Sequence, residues 1–329
     1  MNSVLINQLK SFSRYIKKYH SRNTHNLISS IIKNNHISLV DIGAAGDIEP
    51  RWRQISSLLN YYGFEPDLRS YNELKDTNNC NRFTIFNKAL WETHQKIRIN
   101  LCKKPMTSSV YIPNASIIDR YADSDRMSVV SQVELDASPL DSFKIENADF
   151  LKIDIQGSEL AALKGANGLL TQIMGIETEV EFLQIYKDQP LFGDVCKHLA
   201  EQGFEFIDFA NIVKCERTQF TSFGQSIFAD ALFLKTPENI CHLLSQGQIT
   251  EDKFRIYLAI LGLYRRFDLI AASVALLKKN YKSDSDLVSD AQIYLTRIKK
   301  SQRKIVIYQK IISRFSYFFG NNIQTVINY

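Results

Sequence analysis

The chain reads as an α/β protein built on a doubly wound, seven-stranded sheet, with helices before it and an all-helical extension after it. Three observations predict this. Between Ile37 and about Lys235, short apolar runs alternate with helical patterns, as strands and crossover helices do around a parallel sheet. The run "ISLVDIG" breaks at once into Gly43, Ala44, Ala45 and Gly46, the way a buried strand hands over to a ligand-binding turn. After Pro237 the spacing of apolar residues becomes helical throughout.

Composition agrees with a folded protein. With 329 residues, one sizeable core plus an appendage is expected. A hydrophobic fraction of 45% and a charged fraction of 23% exclude disordered and collagen-like classes. No stretch approaches the ~18–20 uninterrupted apolar residues of a membrane span, and the N-terminus lacks the pattern of a cleaved signal. The five cysteines are scattered and never in CxxC spacing, which suggests neither a disulfide framework nor a zinc cluster, so a reducing cytosol is expected. Charge is uneven. Residues 1–37 hold six basic residues and no acid, and from Glu238 onward 14 basic residues face 7 acidic ones, so basic ends flank an acidic centre.

Taken in order, the head (1–37) places Val4, Leu5, Leu9, Phe12, Ile16 and Tyr19 at helical spacing among basic residues, predicting one or two amphipathic helices. Seven strands are expected in the central domain (38–237): "ISLVDIG", "YYGFEPD", "RFTIFNKAL", "DFLKIDIQG", "IMGIETEVEF", "FEFIDF" and "FADALFLK". The extension (238–329) opens with a stretch similar to a tetratricopeptide-type hairpin, with Ala259, Gly262, Tyr264 and Ala272 where helices pack on each other, and ends in a basic tail. One such unit cannot form a solenoid, which needs about three repeats.

A doubly wound sheet binds ligands at the carboxyl ends of its strands, where strand order reverses. Gly43 and Gly46 leave room there for ligand to approach backbone. The pattern D-x-G-x-x-G lacks the triplet that cradles a dinucleotide pyrophosphate, which disfavours NAD. Glu65 and Asp67 end the next strand where an acid accepts hydrogen bonds from ribose hydroxyls. An adenosine ligand without a pyrophosphate is S-adenosylmethionine; a purely structural turn with a surface acid is the other reading of the same residues.

The blocks "LVDIGAAGDIEPRW", "GFEPD", "SSVYIPN", "DFLKIDIQGSELAALKGA", "IETEVEFLQIYKDQPLF" and "ADALFLK" resemble, in order and spacing, the FkbM-type methyltransferase family over about Ser38 to Lys235. The resemblance implies a class I, Rossmann-like, S-adenosylmethionine-dependent O-methyltransferase, with relatives that act on glycans or natural products. Asp47 stands where that branch often has glycine, and Ala45 where arginine or asparagine is common.

The resemblance also assigns roles. Asp41, Gly43, Ala44 and Gly46 form the first cofactor motif, Asp41 organising the turn or holding the methionine ammonium. Glu65 matches the acid that binds ribose, with Asp67 beside it. Asn87 and Ala89 end the third strand near the adenine. Ser108 and Ser109 line the cofactor or acceptor pocket, or bond to their own loop. In "DFLKIDIQGSE", Asp154 emerges at a strand end, Gln156 follows it on the cofactor side, Gly157 permits close approach, and Glu159 opens the next helix. Asp154 is expected to act as base or to orient the acceptor, or else to position cofactor or cap the helix. Glu177, Glu179 and Glu181 share one strand face by the period of two, and Glu179 and Glu181 are the expected acceptor ligands. A divalent cation among these carboxylates is disfavoured, since no ligand spacing specifies one, and none is assigned. His94 and His198 read as surface or packing residues.

Other classes fare less well. A base-modifying enzyme would carry an Asn or Asp with two prolines and an aromatic where this chain has "DIQG", so no nucleic-acid partner is expected. A non-catalytic adaptor working through the helical tail would show eroded motifs, and these are intact. The expected partner is a small-molecule or glycan acceptor, in the cytoplasm. The basic ends suit either peripheral contact with the inner membrane face or homodimerisation.

Overall fold

The computed structural model describes residues 21–75, 79–217, 224–281 and 285–319, with side chains left aside at 75 and 304–319. The amphipathic spacing over residues 4–19 therefore lies outside the described residues, while 21–32 are helical. Contacts divide the chain into two compact units. One holds the chain up to Asn35, Glu49–Ser56 and the chain from Pro237 on, and the other holds His36–Ile48 and Ser57–Thr236.

The second unit is the sheet unit. Its strands are β1 (Ile37–Ile42), β2 (Leu59–Phe64), β3 (Arg82–Phe86), β4 (Ala89–Leu90), β5 (Gln95–Cys102), β6 (Val129–Ser138), β7 (Phe150–Ile153), β8 (Gly175–Glu181), β9 (Glu205–Cys215) and β10 (Gln225–Leu234). Seven of them form one sheet in the order β3-β2-β1-β7-β8-β10-β9. All its pairings are parallel except those of β10, which runs antiparallel to both β8 and β9. From β1 the chain lays strands outward on one side and then, from β7, on the other. This is a doubly wound, Rossmann-like sheet, with its switch point between β1 and β7.

The apolar runs of β1, β2 and β7 are buried on both faces, which explains why they lack regular polar alternation, and β8 is buried throughout although Glu177, Glu179 and Glu181 share one of its faces. Val40, Ile42, Leu151, Ile153 and Ile176 belong to the main core, joined by Leu163, Leu170 and Leu199 from the crossover helices. On the other face the register sets Asp41 beside Lys152, and Lys152 beside Glu177, and the Lys152 ammonium lies 3.5 Å from Asp41 Oδ1.

One expected strand is corrected. "RFTIFNKAL" is not a single strand: β3 stops at Phe86, and Ala89 pairs with Ala137 in a second, three-stranded sheet of order β4-β6-β5. The cause is Asn87, whose amide donates to the backbone carbonyls of Glu65 and Pro66, 2.9 Å each, and so turns the chain out of the main sheet. Ala89 therefore does not end the third strand.

The helical unit contains helices Pro50–Arg53, Pro237–Ser245, Glu251–Leu263, Phe267–Asn280 and Asp286–Phe319 besides residues 21–32. Helix Glu251–Leu263 starts at Thr250, whose hydroxyl accepts from Lys253 N at 3.1 Å. A Cβ on Gly262 would lie 2.0 Å from the Tyr294 hydroxyl, so a larger residue there would have to displace the end of that tyrosine. Buried Arg255 is bonded to Glu251, Asp252 and Asp290, at 3.4, 3.1 and 3.0 Å, as a buried cation must be. Trp52, fully buried, donates its indole N–H to the Tyr264 hydroxyl at 3.3 Å. Among the described residues, no helix is long and apolar enough to cross a membrane.

Candidate functional site

The carboxyl ends of β1 and β7 meet at Gly43. Asp154 N donates to Ile42 O at 2.9 Å, and a Cβ on Gly43 would stand 2.0 Å from the Asp154 carbonyl oxygen. Gly43 has φ +84°, and its N–H and that of Ala44 both donate to Phe64 O, at 3.0 and 3.1 Å. Its glycine is thus required by backbone against backbone. Gly46 differs: at φ +88° it has nothing within 4 Å of where a Cβ would stand, so it leaves an accessible backbone surface. Ala44 beside it is buried.

Asp41 is buried and bound by protein groups on both oxygens, by the Tyr61 hydroxyl at 2.8 Å and by Lys152 at 3.5 Å. Burial, and then the Asp41 charge, hold the Tyr61 hydroxyl well above its usual pKa. Glu65 ends β2 and is buried; desolvation pushes its pKa from 4.5 up to about 7, against the opposing hydrogen bond from Asp67 N to its Oε1 at 2.7 Å. Asp67 is tied to Arg69 at 2.6 Å, which holds its carboxyl low, at about 2. The two acids at this strand end are therefore unequal. Asn87 is exposed and spends its amide on the backbone of Glu65 and Pro66, fixing the shape of that loop.

The densest chemistry lies beyond β7 and β8. Gln156, at φ +57°, donates through Nε2 to Asp154 Oδ1 at 3.1 Å and to Glu179 Oε1 at 2.9 Å. Its Oε1 lies 3.2 Å from the Tyr186 hydroxyl, which also donates to Thr107 O at 2.9 Å. The Ser109 hydroxyl donates to the Gln156 carbonyl at 2.6 Å and accepts from Tyr111 N at 3.0 Å, whereas Ser108 accepts from Cys102 N. Gln156 is thus the clasp of two carboxylates. Glu159 opens its helix and accepts from Ile155 N at 2.9 Å.

Burial is the first cause raising the carboxyls of Glu159, Glu179 and Glu181, and each is raised further by a neighbouring acid: Glu181 acting on Glu159, and Asp154 on Glu179 and Glu181. These groups hold protons at pH values where exposed carboxyls have lost them. Among the described residues, no group of three or more His, Cys, Asp or Glu is arranged to hold a metal ion. The exposed His94 pairs with Ser138, and His198 sits on helix Phe192–Glu201.

Sequence reasoning placed Asp154 and Gln156 at the end of one strand and Glu179 and Glu181 toward the end of another, and the structure brings the first three into one hydrogen-bonded group. It missed Tyr186 and Gln189, although both lie in the block "IETEVEFLQIYKDQPLF". It also missed Tyr61 and Lys152 as the partners of Asp41.

The family model for the methyltransferase FkbM domain matches residues 46–206. No curated protein matches the chain. Solved structures that resemble it include the methyltransferase FkbM of Methylobacillus flagellatus KT, at 15% identity and TM-score 0.36, covering 60% of this chain and 43% of that one. Another is the magnesium protoporphyrin IX methyltransferase of Synechocystis PCC 6803 with bound SAM, at 10% identity and TM-score 0.31, covering 67% and 82%. A third is an rRNA methylase of Streptococcus thermophilus, at 8% identity and TM-score 0.31, covering 64% and 94%. The chain thus spans less than half the length of the Methylobacillus flagellatus protein. Over residues 46–206, the span of its strand-end acids, the chain is similar to the methyltransferase FkbM domain.

Proposed function

We propose that the protein is an S-adenosylmethionine-dependent O-methyltransferase acting on a hydroxyl of a glycan or natural-product acceptor. The observation that carries this reading is the pair of carboxylates, Asp154 and Glu179, clasped by Gln156 at adjacent strand ends beside Gly43. The cradle fits the cofactor. Gly46 leaves backbone accessible, and buried Glu65 keeps one carboxylate oxygen beyond the one that Asp67 N uses. Glu65 would take the ribose hydroxyls, at about 1.5–3 kcal/mol per charge-assisted hydrogen bond, while Asp67, paired to Arg69, acts as a rim. Gly43, Ala44, Gly46, Asn87 and Ser109 shape the remaining cofactor surface, and Asp41 holds the strand ends through Tyr61 and Lys152. When bound, S-adenosylmethionine supplies a methyl group on a good leaving group, so the protein has mainly to align the acceptor and accept its proton.

Alignment contributes most, up to about 7–11 kcal/mol in favourable cases, against about 10²- to 10⁴-fold for a general base. Glu179 is the proton acceptor in this reading: burial and Asp154 raise its basicity, and Gln156 fixes its oxygen. Asp154 orients the acceptor, and Glu181 takes a second contact. The cytoplasm is the compartment proposed, with the basic ends contacting the inner membrane face or a second copy. Binding to anionic vesicles at low salt tests the first use, and light scattering the second.

Calorimetric titration with S-adenosylmethionine and S-adenosylhomocysteine, beside Glu65→Ala, tests the assignment. Saturable binding that the variant loses is expected. No binding by folded protein overturns it.

A further inference from the structure

The helical unit holds a cleft of about 80 Å³ lined by helix 21–32, the end of helix Glu251–Leu263 and helix Asp286–Phe319. Every residue that lines it belongs to that unit, so it shares none with the strand-end site. Tyr294 marks it. This side chain is 2% exposed, yet its hydroxyl has no hydrogen-bond partner among the described residues, and burial is the one cause that raises its pKa. A buried phenol ordinarily finds a partner. The hydroxyl lies against Gly262, where a Cβ would stand 2.0 Å from it, and both residues line the cleft. Two further donors line the same space. Ser301 Oγ accepts from Asn23 Nδ2 at 2.7 Å and so keeps its own proton to give. Exposed Arg265 has no ion pair or side-chain hydrogen bond among the described residues, and it stands at φ +57°, in the left-handed position after a helix that glycine usually takes. No carboxylate is among the described residues that line the cleft.

These donors select the ligand. A cation is repelled by Arg265, and a neutral group makes no use of its charge. One guanidinium and two hydroxyl protons suit a carboxylate, which only accepts and has about four lone-pair sites to fill. The rest of the wall is apolar, with Leu27, Leu263 and Ile298, so the anion carries carbon, and a doubly charged inorganic phosphate does not match a single cation beside hydrocarbon. The volume limits size. It holds roughly five to eight waters, which corresponds to an acid of about two to four carbons. We propose that this cleft is a binding site for a short-chain monocarboxylate, whose carboxylate accepts from Arg265, Tyr294 and Ser301 while its carbon chain lies on the apolar wall. Bound there, the acid would bridge the three helices that line the cleft, so its binding is read as added stability. The site stands apart from methyl transfer and does not depend on that reading.

The test is thermal unfolding and calorimetric titration of the full chain with acetate, propionate, butyrate and inorganic phosphate, at one ionic strength held with chloride. Two variants accompany the wild type. Tyr294→Phe removes the hydroxyl and keeps the ring, and Arg265→Gly removes the charge with a residue that suits the positive φ. The cooperative unfolding of each variant without ligand shows that it folds. Propionate or butyrate is expected to bind the wild type saturably and to raise its unfolding midpoint, with each variant weakening the affinity by about tenfold or more. Absence of saturable binding by all three acids overturns the site, as does affinity unchanged in both variants. Inorganic phosphate binding more tightly than butyrate overturns the choice of a monocarboxylate. Titration with S-adenosylhomocysteine tests the methyl-transfer reading separately, and its outcome leaves this one untouched.

Discussion

At Gly43 the limiting contact is backbone on backbone. A methyl there would meet the Asp154 carbonyl at 2.0 Å, and φ is +84°, so Gly43→Ala is expected to destabilise the protein by at least about 2 kcal/mol, measured by chemical unfolding. Gln156 makes a different prediction. Its side chain bonds two carboxylates and faces a tyrosine, so Gln156→Leu should lower kcat by about 10²-fold or more with little change in the KM for S-adenosylmethionine; an unchanged kcat would exclude the clasp as a positioning device. Glu65 gives a pH signature. Its folded-state pKa is raised to about 7, so the proton-bound form stabilises the fold below the usual 4.5, and that contribution is lost as pH rises through 7. Ribose hydroxyls donate to the charged form. Affinity for S-adenosylhomocysteine should therefore rise between about pH 6 and pH 8, and Glu65→Gln should flatten the dependence. The acids themselves were legible in the sequence, because a carboxylate ending an apolar run stands out; the partners of Asp41 were not, since Tyr61 and Lys152 lie 20 and 111 residues from it along the chain.

Among the elements, the parallel strands were readable because burial on both faces leaves continuous apolar runs. The second sheet was not. β6 alternates Val133, Leu135 and Ala137 with polar residues but is mostly exposed and belongs to a small cluster apart from the main core, and β4 is two residues long. Short helices hide for a similar reason. Helix Asn167–Leu170 is held by Asp141, which accepts from Gly168 N at 2.7 Å and Leu169 N at 2.9 Å, some 27 residues away in sequence. Asp141→Ala should cost about 1–2 kcal/mol in thermal unfolding, an effect absent if the helix stood by its own propensity.

For the molecule as a whole, the chain's order is not the order of its compact units. The segment Glu49–Ser56 lies between β1 and β2 in sequence, yet it packs with the helical unit, where Trp52 bonds Tyr264 and Arg51 stacks 4.3 Å over the same ring. Trp52→Ala should cost about 3–5 kcal/mol, and truncation after Thr236 should leave Trp52 exposed, with intrinsic fluorescence shifted to the red. A truncated chain as stable as the full one would show that this segment needs no helical partner.

The sequence by itself determined the doubly wound sheet, its seven strands, the switch-point turn and the strand-end acids, because periodicity, glycine placement and the burial of apolar runs act within a few residues of one another. Tertiary structure alone decided which acids are buried together, which amide joins them and where Glu49–Ser56 packs. Those outcomes depend on desolvation and on hydrogen-bond geometry between residues tens to hundreds of positions apart, such as Asp41 with Lys152 and Trp52 with Tyr264, and no local pattern encodes them.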